Sequence, residues 1–93
     1  MNIVQTTTFS RTVKKLHKNQ KADLDKAVKA IVDNPDIGEP KAGDLVGISV
    51  YKFKMVGQLT LLAYKYEDQT ITLTLLALGT HENFYRDLKK KSL

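Results

Sequence analysis

The chain has 93 residues, 15 Lys and Arg against 10 Asp and Glu, a formal charge of +5, 42% hydrophobic residues and no cysteine. A chain this short buries only about 60–65% of its unfolded surface, so residues 1–93 read as one domain and multidomain machinery is excluded. Without cysteine there is no disulfide framework, no thiolate zinc site and no cysteine nucleophile, while the positive balance points to polyanionic or acidic partners.

The start of the chain lacks the charged and apolar regions of a secretory signal, and no apolar run approaches a membrane span. A cytoplasmic protein with no membrane partner is therefore expected. The segment Ile3 to Phe9, rich in Val, Ile and Thr, predicts a short strand, and Ser10 reads as the cap of the helix that follows. Phe9, Val13 and Leu16 then fall at helical spacing, with Arg11, Lys14, Lys15 and Lys18 on the remaining faces, which predicts a short basic helix. After Asn19-Gln20, the residues Leu24, Ala27, Val28 and Ile31 follow the helical template again and predict a second helix. Asn34-Pro35 closes it, because proline disfavours a helical residue before it, and Asp36 to Asp44 reads as a loop.

Past the loop the period changes to that of a strand. Val46 to Val56, Gln58 to Glu67 and Ile71 to Leu78 read as strands, and the short breaks between them predict an antiparallel meander. Leu59, Leu61 and Ala63, with Ile71, Leu73, Leu75 and Ala77, are expected to face the helical hairpin. The other parity, Thr60, Leu62, Tyr64, Thr72, Thr74, Leu76 and Leu78, is only partly polar and invites a cover. Gly79 ends the last strand, and His81 to Lys91 is compatible with a final short helix. The fold class expected is α+β.

Chemistry gathers at three places. On the first meander strand, alternation puts Lys52 and Lys54 on one face and Tyr51 and Phe53 on the other, so two ammonium groups roughly 7 Å apart can grip a phosphate backbone, with Lys65 adding charge from the next strand. The plainer reading is an edge strand kept soluble by its lysines. After the last strand, His81 offers a group that titrates near neutrality, while Phe84 or Tyr85 can stack on a base; the plainer reading is a surface histidine. Lys14, Lys15 and Lys18, together with the Lys89-Lys90-Lys91 run, are candidates for docking onto RNA, against the alternative of solvated faces. No metal site and no cofactor is expected, since neither the two histidines nor any carboxylate cluster has ligand spacing.

The order of features resembles the RelE/ParE superfamily of bacterial type II toxins over nearly the whole chain. The residues that carry the resemblance are the Asn34-Pro35 helix exit, Val50-Tyr51-Lys52-Phe53-Lys54, Leu61-Leu62-Ala63-Tyr64 and Leu78-Gly79-Thr80-His81-Glu82. The resemblance implies a RelE-like fold and a cognate antitoxin, one segment of which can cover the open sheet face. RelE-like members cut messenger RNA on the ribosome, whereas ParE-like members poison DNA gyrase. RNA cleavage needs a group to deprotonate the ribose 2′-OH, cations for the crowded phosphorane and an acid for the leaving oxygen. By resemblance, Lys52 and Lys54 match the RelE lysine pair as phosphate binders with a share in proton transfer, His81 takes the acid/base role, and Tyr85 or Phe84 stacks on a base. One departure stands out. Many nucleolytic members carry an arginine just before the Leu-Leu-Ala-Tyr type run, where this chain has Thr60, so a transition-state cation is missing unless Lys65 or Arg86 replaces it. The leading expectation is an mRNA interferase, a metal-independent endoribonuclease that inhibits translation. The alternatives are a gyrase inhibitor and an inactive homologue that binds only its antitoxin.

Overall fold

The computed structural model describes residues 1–80 together with Phe84, Tyr85 and Leu88. Its elements run β1 (Asn2–Gln5), α1 (Thr7–Lys14), α2 (Lys18–Asp33), β2 (Glu39–Pro40), β3 (Ser49–Met55), β4 (Gln58–Glu67) and β5 (Thr72–Gly79), with a short 3-10 turn at Gly43–Leu45. The strands form one mixed sheet in the order β1-β5-β4-β3-β2. β3, β4 and β5 are the antiparallel meander, and β1 lies parallel to β5.

The first strand is shorter than its Val, Ile and Thr content predicts, because Thr6 ends it. The Thr6 hydroxyl accepts from the backbone N–H of Phe9 (3.1 Å) and donates to the carbonyl of Leu76 (2.7 Å), so Thr6, and not Ser10, caps α1. Phe9 accordingly sits inside α1, with its ring buried. The second helix also starts early. His17 is its N-cap, and its backbone N–H donates to Gln20 Oε1 (2.8 Å), which puts Asn19-Gln20 in the first turn of α2 and not between helices. The expected loop holds the short strand β2, which pairs Glu39 with Val50 and Pro40 with Ser49.

Both sheet faces carry a buried cluster, and this corrects the expected facing of β4. Phe9, Leu24 and Ile31 of the helical hairpin pack on Met55, Leu62, Tyr64, Leu73, Leu75 and Leu78. Leu61 and Ala63 face the other way, into a second cluster with Leu45, Ile48, Val50, Phe84 and Leu88. A strand apolar at both parities carries no alternation from which to read its facing. At β5 the expectation fails for Ile71, which precedes the strand and is 54% exposed, holds for Leu73 and Leu75, and then fails again. Ala77 pairs with Ala63 and Leu75 with Tyr64, so Leu76 is an unpaired extra residue, and this bulge turns Ala77 to the second face and Leu78 to the helices. The cover of the second face is therefore, at least in part, the chain's own Phe84 and Leu88, both helical. Tyr85 is helical too, and the other residues of the expected C-terminal helix, including Glu82, Asn83 and Lys89-Lys90-Lys91, lie outside the described residues.

Tyr64 ties the helix exit to the sheet. Its hydroxyl donates to the Pro35 carbonyl (2.6 Å) and accepts from the Gly38 N–H (2.9 Å). A Cβ at Gly38 would stand 2.6 Å from that hydroxyl oxygen, so only glycine admits the contact.

Candidate nucleic-acid interface on the second sheet face

The β3/β4 register fixes where the lysines stand. Lys52 pairs with Leu61 and Lys54 with Leu59, while Tyr51 pairs with Leu62 and Phe53 with Thr60. Lys52 and Lys54 therefore share the face of Leu61, opposite the helical hairpin, and both are exposed. Tyr51 and Phe53 face the helices as a stacked pair with ring centroids 6.0 Å apart.

The same register brings the end of β5 to this place. Gly79 pairs with Leu61, which pairs with Lys52, so Gly79 and Lys52 lie in one row across three strands, about 10 Å apart at the backbone. Gly79 is also where Phe84 approaches, since a Cβ there would meet the Phe84 ring at 3.3 Å. His81 and Arg86 lie outside the described residues.

The remaining candidates are spread out. Lys65 shares the second face, but it stands four residues along β4 from Leu61, about 13 Å from the row of Lys52. Lys14, Lys15 and Lys18 are exposed around the turn between α1 and α2, in the helical layer and not on the face of Lys52 and Lys54. Phe84 is buried, 6% exposed, in the second core, which leaves its ring no open face for the stacking expected of either aromatic. Tyr85 is half-buried at the edge of that core, its ring edge-on to Phe84 with centroids 5.3 Å apart.

Thr60 also changes meaning. It is buried at 1% exposure on the helix side, its hydroxyl donating to the Gln58 carbonyl (3.0 Å), so an arginine there would not share a face with Lys52 and Lys54. The β4 residues that do share that face at their level are Leu59, exposed, and Leu61, fully buried.

Sequence reasoning missed Lys41. Its ammonium lies 5.1 Å from the centroid of the Tyr85 ring and 3.4 Å from Glu39 Oε2. Partial burial on its own would lower its pKa. Hydrogen bonds to Tyr85 and Glu39, with the charges they can carry, outweigh that and hold it above the ordinary lysine value. Only its nearness in sequence to Glu39 was visible beforehand. Among the described residues, no three His, Cys, Asp or Glu side chains gather so as to hold a metal ion, and no helix is long and apolar enough to cross a membrane.

Comparison with known proteins agrees with this architecture. The sequence profile of the ParE-like toxin of type II bacterial toxin-antitoxin systems matches residues 3–89. The chain is similar in structure to the toxin in the RelBE2 toxin-antitoxin complex from Mycobacterium tuberculosis, with TM-score 0.72 and 22% identity over 86% of this chain and 96% of that one. It is also similar to a chain of the intact E. coli RelBE complex, with TM-score 0.69 and 18% identity over 87% and 96% of the two chains. The YoeB/ParE toxin from Agrobacterium tumefaciens gives TM-score 0.69 and 15% identity over 88% and 100%. No curated protein sequence matches the chain.

Proposed function

From the premise that this chain belongs to the ParE-like toxins of type II bacterial toxin-antitoxin systems, we propose that it is a ribosome-dependent mRNA interferase working from the second face of its sheet. The observation that carries the reading is the row Lys52–Leu61–Gly79, in which a pair of exposed, co-facial ammonium groups stands across two strand spacings from the segment that leads to His81. Lys52 and Lys54 hold the phosphates on either side of the cleaved bond and stabilise the extra negative charge of the phosphorane. As the 2′-oxygen bonds to phosphorus and the 5′-oxygen leaves, His81 handles one of the two protons, taking it from the 2′-OH or giving it to the 5′-oxygen, and Lys52 or Lys54 handles the other. Tyr85 stacks on a base, and Arg86 and Lys65 supply further charge to the RNA.

The partner in the resting state is a cognate antitoxin. The RelBE structures are toxin-antitoxin complexes, and this chain offers an apolar groove of about 260 Å³ between β1, α1 and α2, next to exposed Ile3 and Val4. Since Phe84 and Leu88 already cover part of the second face, that groove is the surface we assign to it.

A second reading, inhibition of DNA gyrase, is favoured by one observation. The β4 side chains opposite Lys54 and Lys52 are Leu59 and Leu61, so the described strands bring no arginine to the pair. Expression of wild type, His81→Ala and Lys52→Ala/Lys54→Ala, with mapping of message ends and measurement of supercoiling, separates the two. Ribosome-dependent cuts that vanish in both variants are expected. Growth arrest with intact messages and lost supercoiling would move the assignment to gyrase.

A further inference from the structure

We infer that Lys41 is a positioning residue that holds Tyr85 where it stacks on a base of the RNA strand gripped by Lys52 and Lys54. The inference rests on the nuclease reading above and adds to it a residue and a mode of action.

Lys41 continues the β2/β3 pairing by one residue, its backbone N–H donating to the Ile48 carbonyl (2.9 Å) beyond the pairs Glu39–Val50 and Pro40–Ser49. Alternation puts the Lys41 and Glu39 side chains on the face of Val50, which is also the face of Lys52. Unlike Lys52 and Lys54, Lys41 is packed, with its side chain 20% exposed between Glu39 and the Tyr85 ring. An ammonium over an aromatic ring is attracted by the negative charge of the ring face, and the attraction grows as water is excluded. The neighbouring carboxylate of Glu39, 3.4 Å away, fixes the ammonium in turn.

The geometry gives this contact a task. Phe84 and Leu88 anchor the C-terminal helical residues in the core, and Tyr85 stands half-buried at the rim, where the Lys41 contact bears on the orientation of its ring. Lys41 and the edge-on Phe84 ring together fix its orientation before RNA arrives, so the ordering cost is met by the fold and not by binding. Lys41 pairs at the level of Ile48, four residues before Lys52, which is about 13 Å along β3 and the length of about four nucleotides stacked at ~3.4 Å. One strand of RNA can therefore touch Tyr85 by a base and the lysine pair by its phosphates. A ring set at the right angle fixes the register of that strand over the pair.

The test is a cycle of Lys41→Met, Tyr85→Ala and the double variant, with Lys41→Arg as the conservative control, assayed for cleavage of ribosome-bound message. KM reads docking onto the ribosome, and kcat reads how the strand lies. Lys41→Met is expected to lower kcat about 10-fold with KM little changed, Lys41→Arg to recover most of the loss, and Lys41→Met to cost nothing further once Tyr85 is alanine. A second measurement is independent of activity: the ε-methylene protons of Lys41 should show a ring-current shift that disappears in Tyr85→Ala. An equal loss in the Tyr85→Ala background, a change in KM alone, full activity of Lys41→Met, or no ring-current shift would each overturn the inference. If Lys41→Met does not fold, Lys41→Gln and the ring-current shift decide in its place. A wild type that cuts no message overturns the nuclease reading and the RNA part of the inference together. Failure of the inference alone leaves wild-type cleavage intact.

Discussion

Tyr64 shows how a single hydroxyl can hold two elements and make the fold sensitive to alkali. Burial raises its pKa above the ordinary tyrosine value, and nearby Asp36 adds to this, while hydrogen bonds from Gly38 and Ser49 oppose it without cancelling it. A folded-state pKa above the unfolded one means that the contribution to stability is complete below the unfolded value, near pH ~10, and is lost as pH rises through the raised folded value. Melting temperature measured against pH should fall above about pH 10 in the wild type, and this component should be absent in Tyr64→Phe. At neutral pH, Tyr64→Phe leaves the Gly38 N–H and the Pro35 carbonyl without their partner, and should cost about 1–3 kcal/mol in denaturant unfolding. At the site, Leu59 and Thr60 are neighbours in sequence with opposite fates. Leu59 is 47% exposed across from Lys54, whereas Thr60 is buried against the helical layer. On the nuclease reading, Leu59→Arg should therefore add a cation to the proposed phosphate site and raise kcat about 10-fold, part of the ~100-fold or more that a preorganised donor supplies. Thr60→Arg should bury an unpaired charge, lower stability by about 3 kcal/mol or more, and leave no gain in cleavage.

The elements themselves were legible where one face is wet and obscure where none is. Leu24, Ala27 and Ile31 announce α2 by spacing, since the opposite side of that helix meets water, and all three are buried as the pattern predicts. β4 gives no such contrast: Thr60 through Tyr64 are all buried, so its facing follows from which neighbours press on each side, a tertiary fact. The bulge at Leu76 is hidden for a related reason, because Leu75-Leu76-Ala77-Leu78 is apolar throughout and an extra residue leaves no mark on the pattern. Thr6 is the residue that responds to it, donating to the bulged carbonyl while capping α1, which couples the end of β1 to the irregularity in β5. The turn between β3 and β4 has the same character. Val56 takes a left-handed φ of 51°, unfavourable for a β-branched residue, and its N–H is held by Asp23 of α2 at 2.7 Å. Sequence marked the hairpin at Gly57 but not the carboxylate, 33 residues earlier, that secures it. Of the site, the lysine pair was legible through simple alternation, whereas Lys41 was not, since nothing local says that Tyr85 returns across the sheet to meet it.

At the scale of the whole molecule, the sheet separates two basic regions. Lys52, Lys54 and Lys65 project from the second face, and Lys14, Lys15 and Lys18 surround the turn of the helical hairpin on the first. A short strand of RNA spanning the lysine pair and Tyr85, as proposed, would not also wrap the sheet to reach the hairpin, whereas a ribosome is large enough to face both regions. On the nuclease reading proposed above, the excess of +5 would act in two ways: as a long-range field that steers the protein to an RNA surface, and as a short-range grip on the phosphates to be cut. Replacing Lys14, Lys15 and Lys18 by Gln removes three charges from the field and none from the grip. Ribosome binding should weaken, and the slope of log affinity against log salt should become shallower by about 0.7–0.9 for each lysine that had met a phosphate. KM should rise accordingly while kcat stays near its wild-type value, the reverse of the pattern expected for Lys41→Met. Titration of ribosomes at several salt concentrations, with cleavage measured at saturation, reads both quantities. A fall in kcat at saturation would show that the hairpin lysines belong to the cleavage site and that the sheet does not divide the labour.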